Sequence, residues 1–434
     1  MSSKGAGAMS EEDKSAMVPR LRFPEFQKAE GWKLEPLGTL AKRRTAKNTK
    51  GEYTRVLTNS AEFGVVDQRD YFEKDIANQG NLEGYYIVEK GDYVYNPRIS
   101  TSAPVGPISR NNVGTGVMSP LYTVFRFDGS DNDFFAHYFK STHWYHYMRQ
   151  ASSTGARHDR MSITNDDFLG LPLPVSAPKE QQEIADCLSS LDELITEETQ
   201  KLDALKTHKK GLMQQLFPRE GETVPRLRFP EFREMVEWKE IVLGDVCERI
   251  MDGTHFSPAS KSGPFLYLTS KNVRPGALVL DDVSYISAEE HRSIFARCPV
   301  KKKDLLLTKD GASTGNCALN PLDFEFSLLS SVAVIRGDQK KILQEFLAQD
   351  FQSSHVQDQI ADAISGQAIT RITLEKIKQF KVWITCSHEQ QRISDCLASF
   401  DNLILSQSQK IDALKTYKKG LMQQLFPVLN EVLA

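Results

Sequence analysis

The phrase K201-LDALKTHKKGLMQQLF-P218 is written a second time as K410-IDALKTYKKGLMQQLF-P427, with sixteen of eighteen positions identical. Independent drift erases such a match unless both copies serve one demand, so internal repetition is the first thing to trace. Working outward, VPRLRFPEF from Val18 recurs unchanged from Val224, and Trp32, Leu37 and Gly38 recur as Trp238, Leu243 and Gly244, at an offset of 206. EQQEIADCLSSLDELI from Glu180 recurs as EQQRISDCLASFDNLI from Glu389, at the offset of 209 that the opening phrase also keeps. Each half therefore reads as a leading segment, a variable region of about 140 residues and a long helix. The expected divisions are a disordered tail over 1–17, a first variable domain with its leading segment over 18–179, a helix over 180–217, a linker and second variable domain over 218–388, a helix over 389–427 and a tail over 428–434. The repeat places the leading VPRLRFPEF near the end of the second helix, closing the molecule into a near circle.

The helices carry a 3-4 apolar spacing, the period of a coiled-coil seam. In the first it runs Leu188, Leu191, Ile195, Glu198, Leu202, Leu205, Lys209, Leu212, Leu216. In the second it runs Leu397, Phe400, Ile404, Gln407, Ile411, Leu414, Lys418, Leu421, Leu425. A helix of roughly 35 residues spans about 50 Å at 1.5 Å per residue. A whole variable region separates the helices, so an antiparallel coiled coil fits the two-fold relation between halves. One symmetric register sets Glu198 against Lys418 and Lys209 against Gln407; alternatively both lysines snorkel out of the seam. Off the seam stand Ile184, Cys187 and Met213 with their mates Ile393, Cys396 and Met422, facing either a further partner helix or the chain's own variable domains.

The variable regions align only at landmarks. EKGDYVYNP matches KKKDLLLTK, FKSTH from Phe139 matches FQSSH from Phe351, and Arg160 matches Arg371. In FxSxH the expectation is helix packing, with His143 and His355 satisfied locally. Alternating runs such as DYVYN, YTVFRF, PFLYLT, DLLLT and SVAVI predict strands, and NDFFAHYFKSTHWYHYMRQ and KKILQEFLAQDFQSSHVQDQI predict one helix in each half. The fold class is mixed α/β, in two pseudo-symmetric halves.

The chain has 434 residues, 40% hydrophobic and 26% charged, with a net charge of −3. That suits a globular protein with several cores. No apolar run reaches membrane-spanning length, and the six cysteines form no C-x-x-C pair, so reduced thiols of a cytoplasmic protein are expected, without a metal. The slight acidity argues mildly against a nucleic-acid binder, but local clefts matter more than the total.

The loops have one flavour: AKRRTAKNTK, LTNSAEFG, NPRISTSAPVG and SSTGARHDR in the first half, MDGTHFSP, LTSKNVRPG, LTKDGASTGN and ISGQAITR in the second. Arg, Lys, Asn, Gln, Ser and Thr are the residue types that read base edges and hold phosphates, although surface loops are polar in any protein. The candidate DNA-contacting residues are Lys42, Arg43, Arg44, Asn59, Ser60, Arg98, Ser100, Thr101, Arg157 and Arg160, then Thr254, His255, Ser270, Lys271, Asn272, Lys309, Ser313, Thr314, Gln367, Thr370 and Arg371. Arg160 and Arg371 each precede a helix that Ser162 or Thr373 would cap. Catalysis is not expected. There is no P-loop; NPRI at Asn96 and NPLD at Asn320 lack the second proline and aromatic of an amino-methyltransferase; EWK at Glu237 has GWK as its counterpart.

The paired RLRFPEF…W…LG segments, the helix starts PKEQQEIADCLSSLD and HEQQRISDCLASFD, and the twin helix ends resemble the specificity subunit of type I restriction–modification systems, from Val18 to the end. DGTHFSPASKSGPFLYLTSKNVRPG and DLLLTKDGASTGN are similar to one common type of that family's target recognition domain. The resemblance implies that each variable domain reads one half of a bipartite, asymmetric DNA site, and that the helices set the spacing. It implies two partner methyltransferase subunits that carry S-adenosylmethionine and methylate adenine N6, optionally joined by two helicase-nuclease subunits; this chain itself holds no cofactor. Base flipping then falls to the methyltransferase. Heads about 50 Å apart would stand roughly fifteen base pairs apart along a duplex. The competing expectation is a coiled-coil scaffold whose variable domains bind protein rather than DNA.

Overall fold

The computed structural model describes residues 17–71, 82–129, 133–154, 159–366 and 370–428. Two compact units result: unit 1 is discontinuous, comprising residues up to Glu198 together with those from Lys410 onward, and unit 2 is the single stretch from Thr199 to Gln409. Of the disordered tail expected over 1–17, residues 1–16 lie outside the described residues, and Met17 departs from the expectation: it is buried and pairs with Trp32, whose N–H its carbonyl accepts at 2.7 Å.

Both long helices form, over Pro178–Leu216 and Ser387–Leu425. Pro178 suits a first turn, where its missing N–H is not needed; Pro218 and Pro427 follow the last turns, where no helix continues. All nine seam positions in each helix are buried or half-buried. The first helix enters unit 1 with its N-terminal half and unit 2 with its C-terminal half, and the second does the reverse.

Within each unit the two helix segments run antiparallel. In unit 1 Lys418 pairs with Asp192, and Lys410 with Glu198 at 2.5 Å. In unit 2 Lys209 pairs with Asp401 at 2.6 Å, and His208 stacks on Phe400. These contacts correct the expected register, in which Lys418 faced Glu198 and Lys209 faced Gln407; the true one lies about one heptad along. A heptad slip leaves an apolar seam in place, so Leu and Ile do not choose between registers, whereas an aspartate opposite a buried lysine does. Lys209 and Lys418 are 7% and 6% exposed, so neither snorkels.

Each unit holds a four-stranded antiparallel sheet of the same order. In unit 1 it runs Ala41–Arg43, Thr123–Phe127, Tyr93–Tyr95, Ile108–Arg110, and in unit 2 Cys247–Asp252, Val332–Gly337, Leu305–Thr308, Cys317–Leu319. The shared turn before the third strand is built by one device. Asp92 accepts the Glu89 N–H and the Arg126 guanidinium; Asp304 accepts the Lys301 N–H and the Arg336 guanidinium. Burial pushes the Asp92 carboxyl up despite these partners. Asn320 of NPLD is buried with its amide on the Lys301 and Leu322 carbonyls, a structural role. Outside this frame the units differ. Unit 2 adds a three-stranded sheet, Ser284–Ile286, Phe265–Leu268, Ser327–Leu328, where unit 1 has the hairpin of Leu57–Ser60 with Gly64–Asp67.

The predicted single helices are each two. Phe134–Tyr138 and Tyr145–Ala151 form in unit 1, Gln344–Asp350 and Ser354–Ile364 in unit 2. The break falls at FxSxH, where the Ser353 hydroxyl bonds the Asp350 carbonyl at 2.7 Å and competes with the helix ladder. His143 Nδ1 meets the Ser141 hydroxyl and His355 meets Gln359, the local satisfaction expected.

Two cores weld the helices to their domains. Ile184, Leu188, Met422, Leu425 and Phe426 pack with Trp32, Phe134 and Tyr138 in unit 1; Met213, Leu216, Phe217, Ile393 and Leu397 pack with Trp238, Phe346 and Trp383 in unit 2. The off-seam residues Ile184, Met213, Ile393 and Met422 thus serve the chain's own domains, and the further-partner-helix alternative does not apply to them. The leading segment docks as the repeat predicts: the Leu21 N–H donates to the Gln424 carbonyl in unit 1, and the Leu227 N–H to the Gln215 carbonyl in unit 2.

Candidate nucleic-acid interface

In unit 1 the strand Tyr93–Tyr95 runs out into NPRIST, and an antiparallel bridge joins Arg98 to Arg160. The bridge is held by Ile99 N–H to the Asp159 carbonyl (3.0 Å) and Met161 N–H to the Pro97 carbonyl (2.9 Å). Both arginines line an open cavity of about 570 Å³, with Ser100, Tyr71 and Tyr122 on its walls. Ser100 and Thr101 are exposed at the loop. Two cations held side by side over a cleft of hydroxyls and rings suit phosphate and base edges.

Several candidates prove structural. Asn59 borders the cavity but is 2% exposed, and its amide nitrogen donates to the Val94 and Pro107 carbonyls. Ser60 is buried and accepts the N–H groups of Glu62 and Phe63. Lys42, Arg43 and Arg44 stand outside this cavity, where they meet Asp128, Asn165 and Glu89, and the Lys42 side chain stays 79% exposed. Arg157 lies outside the described residues. The cap of helix Asn165–Leu169 is Thr164, which accepts the Asp167 N–H, not Ser162.

In unit 2 three loops converge on Leu328–Ser331. Thr254 donates its N–H to the Leu328 carbonyl and accepts that of Ser330; the Ser270 N–H reaches the Ser331 hydroxyl; the Lys309 N–H reaches the Ser331 carbonyl. Gly253 makes this approach possible, since a Cβ there would sit 1.9 Å from the Leu328 oxygen. The glycine of MDGTH therefore serves the chain's own backbone, not a groove. The counterpart of the unit 1 bridge joins Asp310 to Arg371, with the Gly311 N–H on the Thr370 carbonyl. Thr373 caps the following helix, as expected.

Here too the candidates divide. His255, Lys271 and Arg371 are exposed. Thr254 and Asn272 are buried, the latter in a capping box with Thr269 and with its amide on the Val279 and Asp282 carbonyls. Lys309 is 2% exposed, with Asp252 and Asp310 at 3.4 Å. Thr314 and Thr370 both spend their hydroxyls on the Gly311 carbonyl, and Ser313 accepts the Asn316 N–H through its carbonyl. Gln367 lies outside the described residues. Asp252, Asp310 and Ser331 were not anticipated. The two aspartates stand inside the polar loops MDGTHFSP and LTKDGASTGN, and an acid beside the candidates Thr254, His255 and Lys309 was the available signal; Ser331 carries none.

All six cysteines are free thiols. Among the described residues no cluster of His, Cys, Asp and Glu is arranged to hold a metal ion, and no helix is long and apolar enough to cross a membrane.

The model of a family described as "Type I restriction modification DNA specificity domain" matches residues 37–207 and 235–416, one copy in each half. The chain belongs to the type I restriction–modification DNA specificity family. Among curated members, the type I restriction enzyme MjaVIII specificity subunit of Methanocaldococcus jannaschii is 24% identical over 283 residues, covering 64% of this chain and 65% of that one. The putative MjaX specificity subunit of the same organism is 22% identical over 277 residues, covering 62% and 61%. The matches thus span somewhat less than two-thirds of these relatives' length. Among solved structures, the type I restriction-modification system S subunit from M. genitalium is 14% identical with a TM-score of 0.54, over 95% of this chain and 99% of that one. A chain from a study of complex assembly and conformational transition of the type I R-M system is 16% identical with a TM-score of 0.52, over 92% and 98%. These two share the fold of the specificity family.

Proposed function

We propose that this chain is the DNA-reading subunit of a type I restriction–modification complex, with unit 1 and unit 2 each reading one half of a bipartite, asymmetric site. The observation that carries this is a constant frame with a changed reader. The same sheet order and backbone bridge stand in both units, but the bridge presents Arg98 with Arg160 in one and Asp310 with Arg371 in the other. Frames of one design with different side chains at one place suit two different half-sites, as direct readout requires. Near-identical helix ends suit one kind of partner docking twice, a methyltransferase subunit bearing S-adenosylmethionine. Helicase-nuclease subunits would join through it. The chain itself supplies recognition rather than catalysis.

The test is co-expression with a methyltransferase subunit encoded beside it, followed by mapping of modified adenines. A bipartite motif is expected, with binding that weakens steeply as salt rises. Methylation without sequence preference, or salt-insensitive binding, would favour a protein-binding scaffold.

A further inference from the structure

We propose that buried Lys309 is a positioning residue that aims two exposed side chains of unit 2, His255 and Arg371, at DNA; this rests on the DNA-reading function above. The Lys309 ammonium lies 3.4 Å from Asp252 Oδ2 and 3.4 Å from Asp310 Oδ2. The second oxygen of each carboxylate meets a further side chain. Asp252 Oδ1 is 3.4 Å from His255 Nε2, and Asp310 Oδ1 is 3.6 Å from Arg371 Nε. The side chains of His255 and Arg371 are 60% and 57% exposed, against 2% for Lys309. The result is one chain of contacts, His255–Asp252–Lys309–Asp310–Arg371, with its middle buried and both ends at the surface.

Each part of this chain is needed for the others. Two carboxylates at a surface meant for phosphates repel the ligand unless a cation neutralises them, and a buried ammonium is costly unless carboxylates surround it. Opposite charges placed in alternation favour one arrangement of the side chains that carry them. Asp310 lies on the Nε side of Arg371, so it orients the guanidinium while the two Nη groups are those whose fork matches guanine. The backbone is fixed as well: the Ile372 N–H donates to the Lys309 carbonyl at 2.9 Å. In unit 1 Pro97 precedes Arg98 as Lys309 precedes Asp310, so that unit orients its arginines without this lysine.

The experiment uses the full chain with its methyltransferase partner and duplexes carrying single base-pair changes through both mapped half-sites. Arg371→Ala is expected to lose about tenfold discrimination at one base pair of one half-site, the scale of one bidentate pair. Asp310→Asn, which keeps the Arg371 charge, is expected to lose discrimination at that same pair, and the double variant to be no worse than Arg371→Ala alone. Lys309→Met is expected to behave like Asp310→Asn; if it does not fold, the isosteric Asp310→Asn decides. The proposal is overturned if Asp310→Asn matches wild type, weakens all positions in both half-sites alike, or adds to Arg371→Ala. A wild-type complex that distinguishes no sequence overturns the DNA-reading function and this proposal together; normal reading with an unaffected Asp310→Asn overturns the positioning alone.

Discussion

Arg22 donates to both oxygens of Glu180, at 2.6 and 2.8 Å, and Arg228 grips Glu389 in the same way at 2.7 and 2.8 Å. Both pairs are buried, and each arginine also donates to two backbone carbonyls, of Ala29 and Glu30 or of Met235 and Val236. The clamp ties the leading RLRFPEF segment to the first turns of the helix that closes the same repeat. Removing one partner strands a buried charge, so Glu180→Ala should cost about 3–5 kcal/mol and Arg22→Met with Glu180→Leu should cost much less. Thermal unfolding of the three chains checks this; equal losses would mean that the pair contributes through its attraction alone.

The Lys209–Asp401 pair fixes the helix register in unit 2. Asp401→Lys sets two cations together and should destabilise by about 1–2 kcal/mol, and adding Lys209→Asp should recover most of the loss. A double-mutant cycle read by chemical denaturation measures the recovery. No recovery would place the register in the apolar seam.

His137 is buried against Ser189, with Lys140, Lys418, Asp192 and Asp133 around it, and burial with the two lysines lowers its pKa to about 4. The folded protein refuses a proton that the unfolded chain accepts below pH 6.5. Stability therefore falls as pH drops from about 6.5, and the loss is complete near pH 4, on the order of 3 kcal/mol. His137→Gln, which copies Gln349 of unit 2, should flatten that part of the stability–pH curve relative to wild type.

Asp350 carries the opposite sign. Burial pushes its carboxyl up to about 7, although the Trp383 N–H and the Ser353 hydroxyl pull it down. The folded protein takes up this proton at higher pH than the unfolded chain, so the ionised group is a cost above pH 7 that fades toward pH 4. Asp350→Asn keeps an acceptor for Trp383 and should raise Tm at pH 8, raise it less at pH 5, and leave it nearly unchanged near pH 4. A uniform shift at pH 8 and pH 4 would refute the titration.

Arg160 and Arg371 should act on separate halves of the DNA site. Arg160→Ala is expected to relax one half-site and Arg371→Ala the other, each by about 1–3 kcal/mol at the affected base pair. Methylation mapping of both variants checks it; a change spread evenly over both halves would make the two arginines phosphate contacts.

The division into halves, the helices, most strands and the location of the variable loops were legible because repeats and apolar periodicity are written in the order of residues. The register was not, because a heptad slip leaves Leu202, Leu205 and their mates in the same seam and only Asp192 and Asp401 distinguish the alternatives. The break at FxSxH was hidden because its residues continue an apolar helical pattern while Ser353 redirects the backbone.

The loop residues show the boundary most clearly. Composition alone placed Asn59, Thr254, Asn272 and Lys309 beside Arg98, Arg160, His255 and Arg371 as equals. The fold buries the first four, where an unpaired polar group is expensive, and so spends their hydrogen bonds and charges on the protein itself. The second four are left at the surface by loops that fold around the others. Residue type decided what chemistry these loops carry; only the folding of one loop against another decided which side chains have any of it left for a ligand.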